Sequence, residues 1–409
     1  MSPTPSSPHV LIVGAGIGGL ALGQVLRKAG VSFEIFERSE SRYARPEGWA
    51  VALHAILPEF FAAMPDDMPP HNELTHLHPL KLGFEFAFYD PEVSMTKMGY
   101  RDDYREDGEV EVIRANRHRL RDWLLTNLPV QNGKQAVRVE ETEAKVTVHF
   151  RDGTSATGDI LVGADGVKSV VRKHMLKGVD QFEYDKISIL TSNLRLEGED
   201  LAEQLALGHS AYMVVLQGPD GVYYRYFVGL DKVAPDGKSA DYYFHLAWHD
   251  EDAPRDDHWT HSLSAEEIRN FALRATQNLP RQFRCMVERA KLEDIKVPPL
   301  RLVTILLDSL PAGRVTILGD AARERYDPFL AQGAVHAIKD ALSLGKALTT
   351  LPDSSRSTIA TSLGSYQEVM LARGRQAAME SRMAFADPSL PKTMFARQVV
   401  VLPEDRITL

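Results

Sequence analysis

The amino-acid sequence predicts an α/β fold in which two domains share one chain. Residues 9–13 (HVLIV) form a short apolar run, typical of a parallel strand that is covered on both faces. A glycine-rich turn and a helical segment that ends at Gly30 follow, and residues 32–38 (SFEIFER) supply a second strand. Together they make one βαβ unit, which indicates a Rossmann-like domain. Aromatic, strand-rich segments later in the chain predict a second, mixed sheet.

The segments beyond the βαβ unit alternate between sheet and helix patterns. In chain order we predict strand-like sequence over 74–111, a helix over 116–128, and antiparallel strands that turn at Asp152-Gly153. A hairpin with Asp220-Gly221 at its tip follows, and then a helix that Ser264 caps, with Glu267 three positions further on. The last elements are an apolar strand in RVTILGD and a helix over 333–348.

This order predicts interleaved domains, because nucleotide-type segments lie at both ends and in the middle of the chain. We expect a discontinuous cofactor-binding domain over 1–75, 101–185 and 296–375. A substrate-binding β-sheet domain would take 76–100 and 186–295, and 376–409 would form a C-terminal helix and tail.

The composition favours a soluble protein that acts on small molecules. The chain has 409 residues, 44% hydrophobic and 25% charged, with a formal net charge of −9 and no basic block. A general nucleic-acid partner is therefore not expected. The single cysteine, Cys285, rules out an internal disulfide or a Cys-based metal site. Five glycines interrupt the apolar run 10–26, so we expect no membrane segment, a cytoplasmic location, and a monomer or homodimer.

Gly14, Gly16 and Gly19 form a G-x-G-x-x-G turn directly between the first strand and its helix. The first glycine allows a tight turn, the second lets a pyrophosphate approach the backbone, and the third lets helix and strand pack closely. Glu37 ends the second strand, where a carboxylate accepts hydrogen bonds from ribose hydroxyls. Arg38 follows it, and this pair does not decide between NAD and FAD.

Two later segments point to the cofactor. GADGVKSVVR (163–172) and GDAARERYDPFLAQGA (319–334) follow the glycine triplet and the Arg-x-x-Leu of NRHRL (116–120). These motifs, in this order, resemble those of the single-component FAD-dependent aromatic hydroxylases, or group A flavoprotein monooxygenases. The last segment is most similar to the salicylate and hydroxybenzoate hydroxylase branch. The resemblance covers nearly the whole chain and implies a glutathione-reductase-like FAD-binding domain.

The resemblance implies roles around the flavin for the 319–334 segment. Asp320 would hydrogen-bond a ribityl hydroxyl of FAD, and Pro328 would lie beside the flavin ring on the substrate side. Gly333 and Ala334 would begin a helix whose positive end stabilises reduced flavin. Arg323 departs from the family, which most often has His there, and this change bears on flavin reduction and on substrate charge.

Further roles follow from the other motifs. The resemblance implies that Arg117 lies near FAD and that the turn at Asp165 serves both FAD and a visiting nicotinamide cofactor. Arg172 would hold that turn in place by structural contacts. Arg45 and Gly48 would lie in the loop beside the mobile flavin ring.

The reaction implied by the resemblance is monooxygenation. The chain has one glycine triplet and so no second dinucleotide-binding domain, and NAD(P)H would therefore dock transiently and reduce FAD. O2 would then add to the reduced FAD to give a C4a-hydroperoxide, which hydroxylates or epoxidises an electron-rich aromatic or alkene substrate. The strand-rich insert lacks an evident carboxylate clamp for a small benzoate, which favours natural-product tailoring. The alternative is a non-redox cyclase or isomerase that holds FAD structurally.

The substrate pocket is predicted least sharply. One face of the strand at Tyr224 and Arg225 should line the cavity, so either residue is a candidate pocket group. His245 alternates with Tyr243 and is a candidate general base for a phenolic substrate, as is His54. For each of them, ordinary packing is the competing interpretation.

Overall fold

A parallel sheet and a larger mixed sheet organise the protein, as seen in a computed structural model. The structure describes residues 8–41, 44, 49–105, 110–179, 182–305, 307–322, 332–387, 389, 391–394 and 397–409.

In chain order the strands are β1 (Val10–Val13), β2 (Phe33–Phe36), β3 (Val51–His54), β4 (Glu85–Asp90), β5 (Ser94–Arg101), β6 (Val112–Ala115), β7 (Val130–Gln131), β8 (Ala136–Glu141), β9 (Val146–Phe150), β10 (Ser155–Gly158), β11 (Ile160–Gly163), β12 (Glu183–Glu197), β13 (Ala211–Gln217), β14 (Tyr223–Val233), β15 (Ser239–His249), β16 (Leu300–Thr304), β17 (Val315–Ile317), β18 (Thr393–Met394), β19 (Arg397–Gln398) and β20 (Val400–Val401). The α-helices are α1 (Ile17–Lys28), α2 (Leu57–Ala62), α3 (Arg117–Leu124), α4 (Val170–Met175), α5 (Gly198–Leu207), α6 (Ala265–Ala275), α7 (Arg281–Arg289), α8 (Gly333–Thr349) and α9 (Arg356–Ala386).

The parallel sheet has five strands in the order β17-β11-β1-β2-β7, and all of its ladders are parallel. Its central strand β1 is buried along its whole length, as the continuous apolar run predicts. Helices α1 and α8 pack against each other over this sheet, and apolar side chains of α9 join the same core. Because the strands run in parallel, the carboxyl ends of β1, β2, β11 and β17 meet at one edge.

The mixed sheet has eight strands in the order β16-β12-β15-β14-β13-β4-β5-β20. Only the β13–β4 ladder is parallel among the strands described. One face packs against α5, α6 and α7 around a core that includes Tyr226 and Phe283. The other face carries a second aromatic cluster, including Phe86, Phe227 and Tyr243, and faces the parallel sheet's edge.

Local predictions that rested on turn and cap chemistry are confirmed. Ser264 and Glu267 form a reciprocal capping box at the start of α6. β13 and β14 form the predicted hairpin around Gly221, which has a φ of +77°. The predicted helix over 116–128 is shorter, because Asn116 caps it and α3 ends at Leu124. The predicted α/β fold class, with a parallel sheet beside a separate mixed sheet, is confirmed as well.

Two strands lie in the mixed sheet although the sequence division placed them elsewhere. β16 pairs with β12, and β20 pairs with β5 near the end of the chain. Helix α9 also runs through residue 375, where the division placed a boundary. These contacts are long-range pairings, which local sequence patterns do not specify. Of the helices described here, none is long and apolar enough to cross a membrane.

Candidate active site

A cavity of about 580 Å³ lies between the carboxyl edge of the parallel sheet and the aromatic face of the mixed sheet. Ligands of open α/β sheets bind at this edge. The predicted cofactor residues that line it are Gly14, Gly16, Gly19, Glu37, Arg38, Arg117, Asp165, Asp320, Gly333 and Ala334. The opposite wall is made of Trp49, Phe84, Phe86, Arg114, Phe227, Tyr243 and His245. Residues scattered over more than 300 positions of sequence thus share one site.

The three glycines differ in what surrounds them. A Cβ on Gly14, whose φ is +113°, would lie 2.2 Å from the Ala164 oxygen, and one on Gly19 would lie 2.1 Å from the Gly14 oxygen. A Cβ on Gly16 would meet no atom within 4 Å, although the residue lines the cavity. Gly14 and Gly19 therefore allow backbone to pack on backbone, whereas Gly16 leaves open space at the start of α1. That start has no side-chain cap, as expected where a phosphate binds helix N–H groups.

Glu37 is buried directly after β2. Its Oε2 accepts a hydrogen bond from the Ala15 N–H at 2.9 Å, and its Oε1 accepts one from the Ser39 N–H at 3.0 Å. The carboxylate therefore holds the glycine turn in place while it lines the cavity.

Asp165 and Arg172 organise the turn after β11. Asp165 accepts from the Ser169 hydroxyl at 2.5 Å and from the Val170 N–H at 2.7 Å, so it braces the start of α4. Arg172 is fully buried and donates to the carbonyl oxygens of Val167 and Ala321. The prediction that Arg172 holds this turn in place is confirmed by its bond to Val167. Its bond to Ala321 also links the turn after β11 to the Gly-Asp turn.

The Gly-Asp turn follows β17. Gly319 has a φ of +59°, and its N–H donates to the buried Asp340 at 3.0 Å. Asp340 in turn pairs with Arg373 of α9 at 2.5 Å. Asp320 is left exposed at the cavity. Helix α8 begins at Gly333, as predicted, and its first turn also lines the cavity.

Four residues singled out from the sequence lie outside the described residues: Arg45, Gly48, Arg323 and Pro328. Their implied roles stay predictions.

Tyr224 does not line the cavity, which corrects its assignment as a pocket group. Its side chain is on the opposite face of the mixed sheet, where its hydroxyl donates to Asp220 at 2.6 Å and its ring packs against Trp248 and Phe271. The alternation of side chains along β14 decides the face, and Tyr226 of the same face is fully buried in the core over α7.

Arg225 is on the aromatic face but is occupied elsewhere, which corrects its assignment too. Its guanidinium donates to the carbonyl oxygens of Ala384, at 2.5 Å, and of Asp387, so it holds the end of α9. A helix end leaves carbonyl groups unsatisfied, and a buried cation satisfies them.

His245 is the predicted substrate-side residue that reaches the cavity. Its Nδ1 lies 2.8 Å from the Thr191 hydroxyl oxygen, and its ring meets Trp49 edge-on with centroids 4.5 Å apart. His54 ends β3, and burial, aided by the charge of Lys339, lowers its pKa to about 4. His54 is therefore neutral at neutral pH.

Sequence reasoning missed Arg114, Trp49 and Phe227 in the wall. Phe227 pairs directly with His245 across the sheet, so the period of two along both strands could have indicated it. Arg114 stands in the apolar strand VIRA, and a cation in such a run is a signal of a buried, satisfied charge.

Comparison with known proteins agrees with this geometry. The family model described as FAD binding domain matches residues 8–55 and 120–381. The FAD-dependent monooxygenase thnD of Trichoderma harzianum is 41% identical over 381 residues, which cover 91% of this chain and 92% of that protein. The 3-amino-4-hydroxybenzoate 2-monooxygenase of Streptomyces cremeus is 25% identical, covering 94% of this chain and 88% of that protein.

Solved structures share the fold. The 2,6-dihydroxypyridine-3-hydroxylase of Arthrobacter nicotinovorans superposes with a TM-score of 0.69 at 20% identity and covers 99% of this chain and 100% of its own. HpxO of Klebsiella pneumoniae, complexed with FAD and uric acid, gives 0.67 at 22% identity, covering 92% of this chain and 87% of its own.

Fold, cavity and relatives together define an FAD-binding flavoprotein. Within that class, the chain belongs to the FAD-dependent monooxygenases.

Proposed function

We propose that this monooxygenase uses NAD(P)H and O2 to hydroxylate or epoxidise an electron-rich aromatic or alkene substrate in the tailoring of a natural product. The observation that carries the proposal is that the flavin-type cradle and an aromatic wall face each other across one cavity. Bound FAD supplies hydride acceptance and oxygen transfer, which the chain's own side chains cannot perform.

The lining residues fit FAD from end to end. Gly16 leaves room for the pyrophosphate at the start of α1, and Glu37 presents a carboxylate where the ribose would lie. Arg38, Arg117 and Asp165 line the same groove. Asp320 would take the ribityl chain, and Gly333 and Ala334 would direct the positive end of α8 at the flavin.

Pro328, Arg45 and Gly48 keep the roles that the family resemblance implies for them. We assign Pro328 to the substrate side of the flavin, and Arg45 and Gly48 to the loop beside the flavin ring. NAD(P)H would dock transiently at the cavity.

The aromatic wall is assigned two tasks. Trp49, Phe86 and Phe227 would hold a flat substrate by ring contacts and exclude water from the reacting atoms. His245 would accept the proton of a phenolic substrate, with Thr191 behind it to fix the ring's orientation. Arg225 and Tyr224 have no catalytic part in this scheme, because both side chains are engaged outside the cavity.

The test is anaerobic stopped-flow absorbance of the FAD-loaded protein, mixed with NADH or NADPH in the presence of phenols and indoles. We expect one compound to accelerate bleaching of the oxidised flavin and to gain one oxygen atom after aeration. A protein that keeps FAD but is reduced by neither coenzyme would instead favour the cyclase or isomerase alternative.

A further inference from the structure

Trp49 lies between two cavities. Beside the main cavity of about 580 Å³ there is a second one of about 200 Å³, which residues of β12, β14 and β15 line. Among the residues that the structure describes, Trp49 alone lines both cavities. Its indole is therefore the partition between the two spaces.

The partition is fixed from both sides. The Nε1–H of Trp49 donates to the Oδ1 of Asn193, which belongs to the second cavity, at 3.1 Å. In the main cavity its ring packs against Tyr243, with centroids 5.3 Å apart, and meets His245 edge-on at 4.5 Å. Asn193 and Tyr243 are directly opposite each other in the β12–β15 ladder, and His245 follows two residues later on the same face. The indole is thus held by one hydrogen bond and two ring contacts to a single sheet face.

The two sides of the partition differ in chemistry. On the main side it adjoins the rings of His245 and Phe227, whose centroids lie 5.9 Å apart and which we assign to the substrate. On the other side lie the carboxylates of Asp231, which is only 8% exposed, and of Asp241, which pairs with Arg195 at 3.0 Å. The main cavity therefore suits a flat ring, whereas the second suits a polar group that donates hydrogen bonds.

We propose that Trp49 is a specificity-determining residue that limits the length of the substrate. The substrate is then a compact, flat ring system with no chain that continues past the indole. A longer molecule would have to break the bond between Trp49 and Asn193 and displace a ring that is packed on the sheet. This inference rests on the proposed function and specifies its substrate class.

Equilibrium dialysis of the oxidised, FAD-loaded protein tests the limit without turnover. The probes are 3-methylindole and 6-(1H-indol-3-yl)hexan-1-ol, which share a flat ring and differ in the length of the chain and its terminal hydroxyl. We expect the wild type to bind the long alcohol about tenfold or more weakly than 3-methylindole, because the cost of overpacking exceeds what the chain gains.

Trp49→Ala removes the partition and should reverse this order. The chain can then cross into the second cavity, where a carboxylate such as that of Asp231 accepts the hydroxyl. We expect the variant to bind the long alcohol more tightly than 3-methylindole, by roughly tenfold, as several methylene groups become buried. Trp49→Leu, which keeps an apolar side chain at this position, should shift the ratio of the two affinities in the same direction by a smaller factor.

Trp259→Ala is the matched control, because Trp259 is 44% exposed and lines neither cavity. Its affinity ratio should equal that of the wild type, and the same shift in this variant would contradict a specific role of Trp49. A wild type that binds the long alcohol as tightly as 3-methylindole, or that binds neither probe, would overturn the inference. So would an unchanged ratio in Trp49→Ala or, if that variant does not fold, in Trp49→Leu.

Flavin reduction by NAD(P)H, measured on the same preparations, keeps the two proposals apart. A protein that is reduced normally but shows no limit on chain length contradicts only the role of Trp49. A protein that keeps FAD but is reduced by neither coenzyme contradicts the proposed function, whatever its affinity ratio.

Discussion

The guanidinium of Arg172 reaches the carbonyl oxygen of Ala321 at 3.1 Å, and this bond joins two turns that are 149 residues apart in the chain. One turn follows β11 and the other follows β17, and both line the cofactor groove. Because Arg172 also donates to Val167, one buried side chain sets the distance between two walls of the site.

We expect Arg172→Met to lower the free energy of unfolding of the apoprotein by about 2–4 kcal/mol, because two buried carbonyl groups lose a charged donor. FAD release should become faster as the turns separate. Urea unfolding and the rate of FAD dissociation measure the two effects. Lys173→Met, next to it on the exposed side of α4, is the control, and equal effects of both changes would refute this role.

Substitutions at two glycines of the turn should have different effects, one on the affinity for FAD and the other on the stability of the fold. Gly16→Ala places a Cβ in open space at the cavity, so we expect apoprotein stability near that of wild type and FAD affinity reduced about tenfold or more. Gly14→Ala meets the Ala164 backbone at a positive φ and should destabilise the fold by about 3 kcal/mol or more.

The measurements are thermal unfolding of the apoprotein and FAD titration by fluorescence quenching. Gly364→Ala, in α9 with no atom near the added Cβ, should leave FAD affinity unchanged and raise stability by up to about 1 kcal/mol. If Gly16→Ala bound FAD as wild type does, the phosphate assignment at the start of α1 would be wrong.

The behaviour of these positions shows what the sequence could and could not predict. The glycine turn, the Ser264 cap and the start of α8 are each marked by a local residue pattern, and each was predicted. Tyr224 and Arg225 were both candidates for the pocket, because neighbouring residues of one strand point to opposite faces and alternation alone does not say which face is covered by helices. Arg225 was misassigned because its partners at the end of α9 are about 160 residues away.

Thr191 should matter to catalysis through His245. Replacing it with Val keeps the shape but removes the hydroxyl 2.8 Å from His245 Nδ1. We expect kcat for hydroxylation to fall about five- to tenfold, the equivalent of one hydrogen bond, and its pH profile to shift, while flavin reduction by NAD(P)H is unchanged. Steady-state pH profiles and stopped-flow reduction separate these outcomes.

The control for this change is Thr276→Val, whose hydroxyl donates to the Ala272 carbonyl inside α6, away from the cavity. A similar loss of kcat in both variants would mean that Thr191 acts through stability and not through His245.

Asp405 should make the anchoring of the C-terminal segment sensitive to acid. Burial alone would raise its pKa, but its bond to Arg101 and the charges of Arg101 and Lys97 outweigh this and leave the pKa below its ordinary value. A carboxylate with a depressed pKa stabilises the folded state above its unfolded pKa of about 4, and this contribution is lost as the pH falls through the lower, folded value.

We therefore expect Asp405→Asn to lower the free energy of unfolding by about 1–2 kcal/mol at pH 7, and we expect the difference from wild type to shrink below about pH 4. Urea unfolding at a series of pH values measures it. Glu404→Gln, at the exposed neighbouring residue, should show no such difference at any pH. A constant gap between Asp405→Asn and wild type down to acid pH would mean that packing, and not the charge of Asp405, secures this segment against β5.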